Sequence, residues 1–126
     1  MTIGTNDTLS SPGTQSDYFQ SVIDKMGRDK VRAFARFFVI PQVGRGLTGS
    51  SYNTNSDGQS VPVFSIPDEY DRMGVIAAWV EKNQAPAKTL VATSRGRSLP
   101  PCSYPNYPKY IGGPTESVDS YRSTAP

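Results

Sequence analysis

The sequence predicts a small α/β chain with two short strands at most, two to three helices and an irregular Pro/Gly-rich tail. Three observations lead there. The densest apolar run, Phe34 to Ile40, is broken only by Arg36 and is rich in aromatic and β-branched residues, as a strand buried on both faces would be. Two other stretches, Thr14 to Met26 and Asp68 to Asn83, carry apolar residues at helical spacing. Eleven Gly and eleven Pro among 126 residues leave little room for further regular structure. A parallel sheet needs more strands than two and cover on both faces, so the pattern is that of the end of a larger sheet.

Met1 to Gly4 is too short to stand as an element by itself. Gly4 to Gly13 is dense in turn formers and predicts a loop. Thr14 with Asp17 three residues on is similar to a capping box for the first helix. Its stripe is Tyr18, Val22 and Met26, widened by Phe19 and Ile23, and Gly27 is suited to end it. A short second helix over Asp29 to Phe34 precedes the strand. Pro41 cannot donate to a ladder and ends it, and Gly44 and Gly46 permit a tight loop at the strand's carboxyl end, where open α/β sheets place working residues.

Leu47 to Ser60 has no hydrophobic period and predicts a long surface loop. Val61 to Ile66 extends at most as an edge, because Pro62 and Pro67 interrupt it. In the last helix, Met73, Ile76, Ala77 and Val80 share a face with Trp79 beside them, and the prediction is burial against the Phe37 to Ile40 strand. Thr89 to Thr93 is a short strand candidate. Residues 94–126 read as a largely irregular tail that Tyr104, Tyr107 and Tyr110 pin to the body of a single domain over 1–126.

Composition narrows the function. The net charge is +2 and the basic residues do not cluster, so no nucleic-acid partner is expected. No run approaches the roughly 18 apolar residues of a membrane span, and the amino terminus has no basic-then-apolar leader pattern. Cys102 is the only cysteine, which excludes an intrachain disulfide. Histidine is absent altogether. Asn53 to Gly58 superficially echoes a calcium loop, but the twelfth position is Phe64 where a bidentate Glu is needed, so neither a metal nor a cofactor is expected. On its residues alone, Asp7 is a turn or cap residue in an Asn-Asp-Thr loop.

Several segments together resemble the tannase and feruloyl esterase family of α/β-hydrolases. They are Asn6-Asp7 with Ser11-Pro12-Gly13-Thr14 and Asp17-Tyr18-Phe19, then Phe37 to Gly44, then Ala78 to Pro86, then Leu99 to Pro105 and Tyr110 to Gly113. They occur in the family's order and correspond to the last part of a much longer chain, so the resemblance implies the C-terminal portion of an α/β-hydrolase sheet. It also implies a family that is often secreted or periplasmic. The family's triad follows the order Ser, Asp, His, with the serine on a Gly-x-Ser-x-Gly elbow. The resemblance puts Asp7 at the acid and Arg45 at the position of the histidine; Gly46 sits where a cysteine commonly follows. The elbow would lie upstream of Met1, and Gly49-Ser50-Ser51 is not one.

A guanidinium has donors and no acceptor, so Arg45 cannot act as the base. In serine hydrolases, loss of the serine or the histidine lowers turnover by about 10⁶. Cys102 has no histidine to activate it and is a poor substitute nucleophile. Little or no activity is therefore expected from the chain alone, with an aromatic or other carboxylic ester as substrate if it is active. The first reading is a fragment or relic of a carboxylic ester hydrolase. The alternative is a non-catalytic binding or assembly module that pairs through an exposed edge of the Phe37 to Ile40 strand, with a missing N-terminal portion or a second copy as partner. Esterase activity by an unfamiliar arrangement has no support in the residues.

Overall fold

The computed structural model describes residues 1–55 and 57–126. In chain order its elements are β1 (Thr2–Gly4), α1 (Pro12–Met26), α2 (Arg28–Phe34), β2 (Phe38–Ile40), β3 (Ser51–Thr54), β4 (Ser60–Ser65) and α3 (Arg72–Lys82). There follow β5 (Ala92–Ser94), β6 (Arg97–Leu99), β7 (Cys102–Ser103), β8 (Tyr107–Tyr110), a 3₁₀ turn at Val118–Ser120 and β9 (Tyr121–Thr124). Three α-helices match the expectation; nine strands among the described residues do not.

The run that was expected to be one strand from Phe34 divides in two. Phe34 closes α2 and is 59% exposed, while Val31 is the residue of that helix that reaches the core. Ala35 turns the chain to extended geometry, and burial begins at Phe37, which is completely enclosed. β2 runs parallel to β1, with Ile3 opposite Val39, and antiparallel to β7, with Val39 opposite Cys102. Both edges of β2 are thus paired, which corrects the expectation of an open edge there. The outer strands of the three-stranded sheet are β1 and β7; residues 88–90 bond along the far side of β7, so the open edge lies on β1 instead. β1 is a strand despite its length because β2 supplies its ladder, and Met1 extends it by accepting the Phe38 N–H at 2.9 Å.

α1 starts earlier than predicted. Ser11 caps it, its Oγ accepting from the Thr14 N–H at 3.4 Å, and Pro12 occupies the first turn where no donor is needed. Gly27 ends it at φ 85° as expected. The buried flank of α1 is Phe19 and Ile23, whereas Tyr18 and Met26 face solvent. Phe19 packs on Phe37 at 5.1 Å between ring centroids, and Tyr104 closes the cluster at 5.8 Å from Phe37. Of the three tyrosines assigned to pin the tail, Tyr104 does so; Tyr107 and Tyr110 are half exposed.

The expected loop at 47–60 contains β3 and one residue of β4, which form an antiparallel hairpin with Tyr52 opposite Phe64 and their rings 5.8 Å apart. Within the calcium-like stretch, Ser56 lies outside the described residues; the Asn55 side-chain oxygen accepts the N–H groups of Asp57 and Gln59. The tail is ordered by two further hairpins, β5–β6 and β8–β9, which corrects its description as largely irregular. Arg95 and Gly96, both at positive φ, form the two-residue turn of the first hairpin. Ser120 closes the second through Oγ to the Pro114 carbonyl at 2.6 Å.

α3 is shorter than predicted because residues 68–71 are used elsewhere. Asp68 accepts the Gly49 N–H at 2.7 Å, and Glu69 exchanges two backbone hydrogen bonds with Thr93. Asp71 caps the helix through Gly74 N–H, and Asn83 ends it in the left-handed region. The face carrying Met73, Ile76 and Val80 points to solvent, which overturns the predicted burial against β2. Trp79 is half buried, with the Arg36 guanidinium 5.3 Å from its ring. Trp79→Ala is therefore expected to cost about 1 kcal/mol, near the value of a cation–π contact, rather than the 3–5 kcal/mol of a core tryptophan. Urea melts of the two proteins check this, and a loss above about 3 kcal/mol would restore the buried reading.

Candidate active site

Because β1 and β2 are parallel, the loops that follow them leave the sheet at the same carboxyl end. Thr5 N–H donates to the Ile40 carbonyl at 3.0 Å and Asn6 N–H to the Val43 carbonyl at 3.1 Å. Gln42 N–H donates to Thr5 Oγ1 at 2.8 Å, and the Asn6 amide reaches Ser50 Oγ at 3.3 Å. Gly4 makes this closeness possible: a Cβ there would stand 1.8 Å from the Val43 carbonyl oxygen. Val43 itself is fully buried beneath the junction.

Asp7 and Arg45 sit on these two joined loops. Asp7 Oδ1 accepts from Ser10 N–H at 2.9 Å and from Leu9 N–H at 3.0 Å. The Ser10 N–H is the main influence that holds the Asp7 carboxyl below its ordinary value; partial burial opposes it, and the Leu9 N–H and the charge of Arg45 add to the lowering. Asp7 is thus an anion at neutral pH. Arg45 is exposed and occupies the second position of a turn in which Leu47 N–H donates to the Gly44 carbonyl at 3.0 Å. Its charge reaches Asp7 across space; the salt bridge among the described residues is Arg97–Glu116 at 3.8 Å.

Arg72 steadies the Arg45 loop from below. Its guanidinium donates to the Asp68 carbonyl at 2.9 Å and to the Leu47 carbonyl at 3.5 Å, and it stacks over Tyr70 at 5.0 Å. This support was not legible in the sequence, since Arg72 is remote from the loop along the chain. Cys102 is elsewhere, buried in β7 on the side of β2 away from β1, with its Sγ 3.4 Å from the Pro100 carbonyl. No cluster of three or more His, Cys, Asp and Glu among the described residues could hold a metal. A cavity of about 720 Å³ lies beside Phe64, Arg97, Glu116 and Tyr121, and neither Asp7 nor Arg45 lines it.

A carboxylate and its neighbouring loop thus stand together at the carboxyl ends of two parallel strands, in a chain that combines helices with small sheets. The chain belongs to the tannase and feruloyl esterase family, whose model, described as tannase and feruloyl esterase, matches residues 1–124. It is 32% identical over 127 residues to an uncharacterized esterase of Agrobacterium fabrum, covering 97% of this chain and 20% of that one. It is 33% identical over 128 residues to a probable feruloyl esterase of Arthroderma benhamiae, covering 94% of this chain and 21% of that protein. The crystal structure of feruloyl esterase B from Aspergillus oryzae superposes on 98% of this chain with a TM-score of 0.73 at 21% identity, using 26% of its own length. The chain therefore spans about a fifth of the curated relatives it matches and about a quarter of the solved one.

Proposed function

We propose that these residues form the acid-bearing C-terminal part of a carboxylic ester hydrolase of the feruloyl esterase type, with Asp7 as the acid and residue 45 at the position of the base. The observation that carries this is the junction of the two loops, which sets a hydrogen-bonded carboxylate beside the turn that displays residue 45. In a triad, such a carboxylate orients an imidazole and stabilises its protonated form while a serine attacks the ester carbonyl. Arg45 keeps the positive charge of that imidazolium but cannot accept the serine's proton. The 126 residues contain no Gly-x-Ser-x-Gly sequence and no histidine, so ester turnover by this chain alone is expected to be negligible.

The test has two arms. Purified Arg45→His alone should hydrolyse neither p-nitrophenyl nor feruloyl esters above background; turnover that disappears in Asp7→Ala would overturn the reading. In the second arm the chain replaces the corresponding C-terminal part of the Arthroderma relative. That chimera should be nearly inactive with Arg45 and gain at least about 10²-fold in turnover with Arg45→His, the usual contribution of a positioned general base. Equal rates for the two chimeras would refute the assignment of residue 45.

A further inference from the structure

The cavity beside Phe64 and Arg97 shares a wall with a smaller one: Ile66, Pro67, Leu99 and Tyr121 line both. The smaller space is about 180 Å³, and five of the nine residues around it are prolines. Pro67, Pro100 and Pro101 are buried, and the buried Ile40 joins them. Proline rings have few conformations and no N–H, so this wall neither collapses into the space nor offers water a donor. A space of that size and lining takes a group about as large as a benzene ring.

The larger cavity, about 720 Å³, supplies the polar end. Its charged lining residues are Arg95, Arg97 and Glu116, an excess of one positive charge. The Arg97 guanidinium lies 4.2 Å over the Phe64 ring, which fixes it in place. Glu116 stands 3.8 Å from it, beyond hydrogen-bond distance, and no hydrogen bond reaches either arginine side chain among the described residues. The walls are already joined. Ser98 N–H donates to the Glu116 carbonyl at 2.8 Å, and the Tyr121 hydroxyl donates to the Thr115 carbonyl at 3.0 Å. A ligand filling both spaces is therefore apolar at one end and anionic at the other. A cationic end would meet the excess of arginine, and a neutral end would leave the Arg97 donors without a strong acceptor. Neither Asp7 nor Arg45 lines either cavity.

We propose that the two cavities form one binding site for a small arylalkyl carboxylic acid, with its ring against Pro67, Pro100 and Pro101 and its carboxylate on Arg97. The site goes beyond the esterase reading and does not depend on it. Isothermal titration of this chain with 4-phenylbutyrate as the probe should give one site with a Kd below about 1 mM. The alcohol 4-phenylbutanol has the same body without the charge and should bind at least about tenfold more weakly. Arg97→Gln should erase that preference for the acid. Glu116→Gln removes the carboxylate that competes for Arg97 and should tighten 4-phenylbutyrate about threefold or more. Leu99→Trp fills the shared wall and should abolish binding of both compounds; the two polar variants, at partly exposed positions, carry the test if that one fails to fold. No saturable binding below about 10 mM, equal binding of acid and alcohol, or a preference that survives Arg97→Gln would each overturn the proposal.

Discussion

Phe37→Ala is expected to leave the chain largely unfolded. Phe37 is completely buried and touches both Phe19 of α1 and Tyr104 of the segment before β8, so one ring joins three parts of the chain that are distant in sequence. Removing such a side chain costs about 3–5 kcal/mol, through lost burial and the cavity left behind. A domain of this size has a total stability of roughly 5–15 kcal/mol, and its small sheet places it toward the lower end of that range. Thermal and urea melts should show a fall of about 10 °C or more in the midpoint, or no cooperative transition at all. Phe34→Ala is the contrast: its side chain is 59% exposed, and the same melts should hardly move. A Phe37→Ala midpoint within about 3 °C of the parent would mean that the aromatic cluster is not the core.

Gly4→Ala should damage the candidate site more than its size suggests. The added carbon would lie 1.8 Å from the Val43 carbonyl oxygen and 2.4 Å from its carbon, and both are backbone atoms of a buried residue. No side chain can swing aside, so the two loops must separate. The Asn6–Val43 hydrogen bond stretches, and Asp7 moves relative to residue 45. Overpacking of this kind costs about 1–3 kcal/mol. The larger effect is geometric: a displacement near 1 Å lowers turnover by about 10²-fold, so the Arg45→His chimera carrying Gly4→Ala should lose most of what it gained. A chimera with Gly4→Ala that keeps full activity would show that the loop junction does not position the site. Gly49, whose Cβ would meet the Ile66 carbonyl oxygen at 1.9 Å, makes a similar close approach at the far end of the Arg45 loop.

The parts of the fold that were legible in the sequence are those with local causes. The first helix showed its apolar stripe and its terminal Gly, although its cap was read at Thr14 and lies at Ser11, and α2 was expected close to where it lies. β1 was not legible, because three residues carry no periodicity and their ladder comes from β2, which is remote in sequence. The apolar run concealed the boundary between α2 and β2: Phe34 and Phe37 look alike in sequence, yet one faces water and the other the core. The face of α3 was identified, but its burial does not follow from amphipathicity, which says which side is apolar and not what lies opposite. The β5–β6 hairpin did leave a signal in Arg95-Gly96, hidden by the surrounding Pro and Gly. At the site, Asp7 and Arg45 could be named from the resemblance. The hydrogen bonds that join their loops and the support from Arg72 are tertiary and had no local signature.

The Asp7 turn is also a proton-linked element. Its carboxyl titrates below the ordinary value of 3.8 because the folded chain favours the charged form, so folding and deprotonation reinforce one another. The sign follows directly. The contribution to stability is complete at pH values above 3.8, and it fades as acid drives protons onto the folded carboxylate. Across neutral and mildly acidic solution the turn from Asp7 to Ser10 keeps its two hydrogen bonds and its negative charge. In strong acid the same proton that neutralises Asp7 weakens both bonds at once.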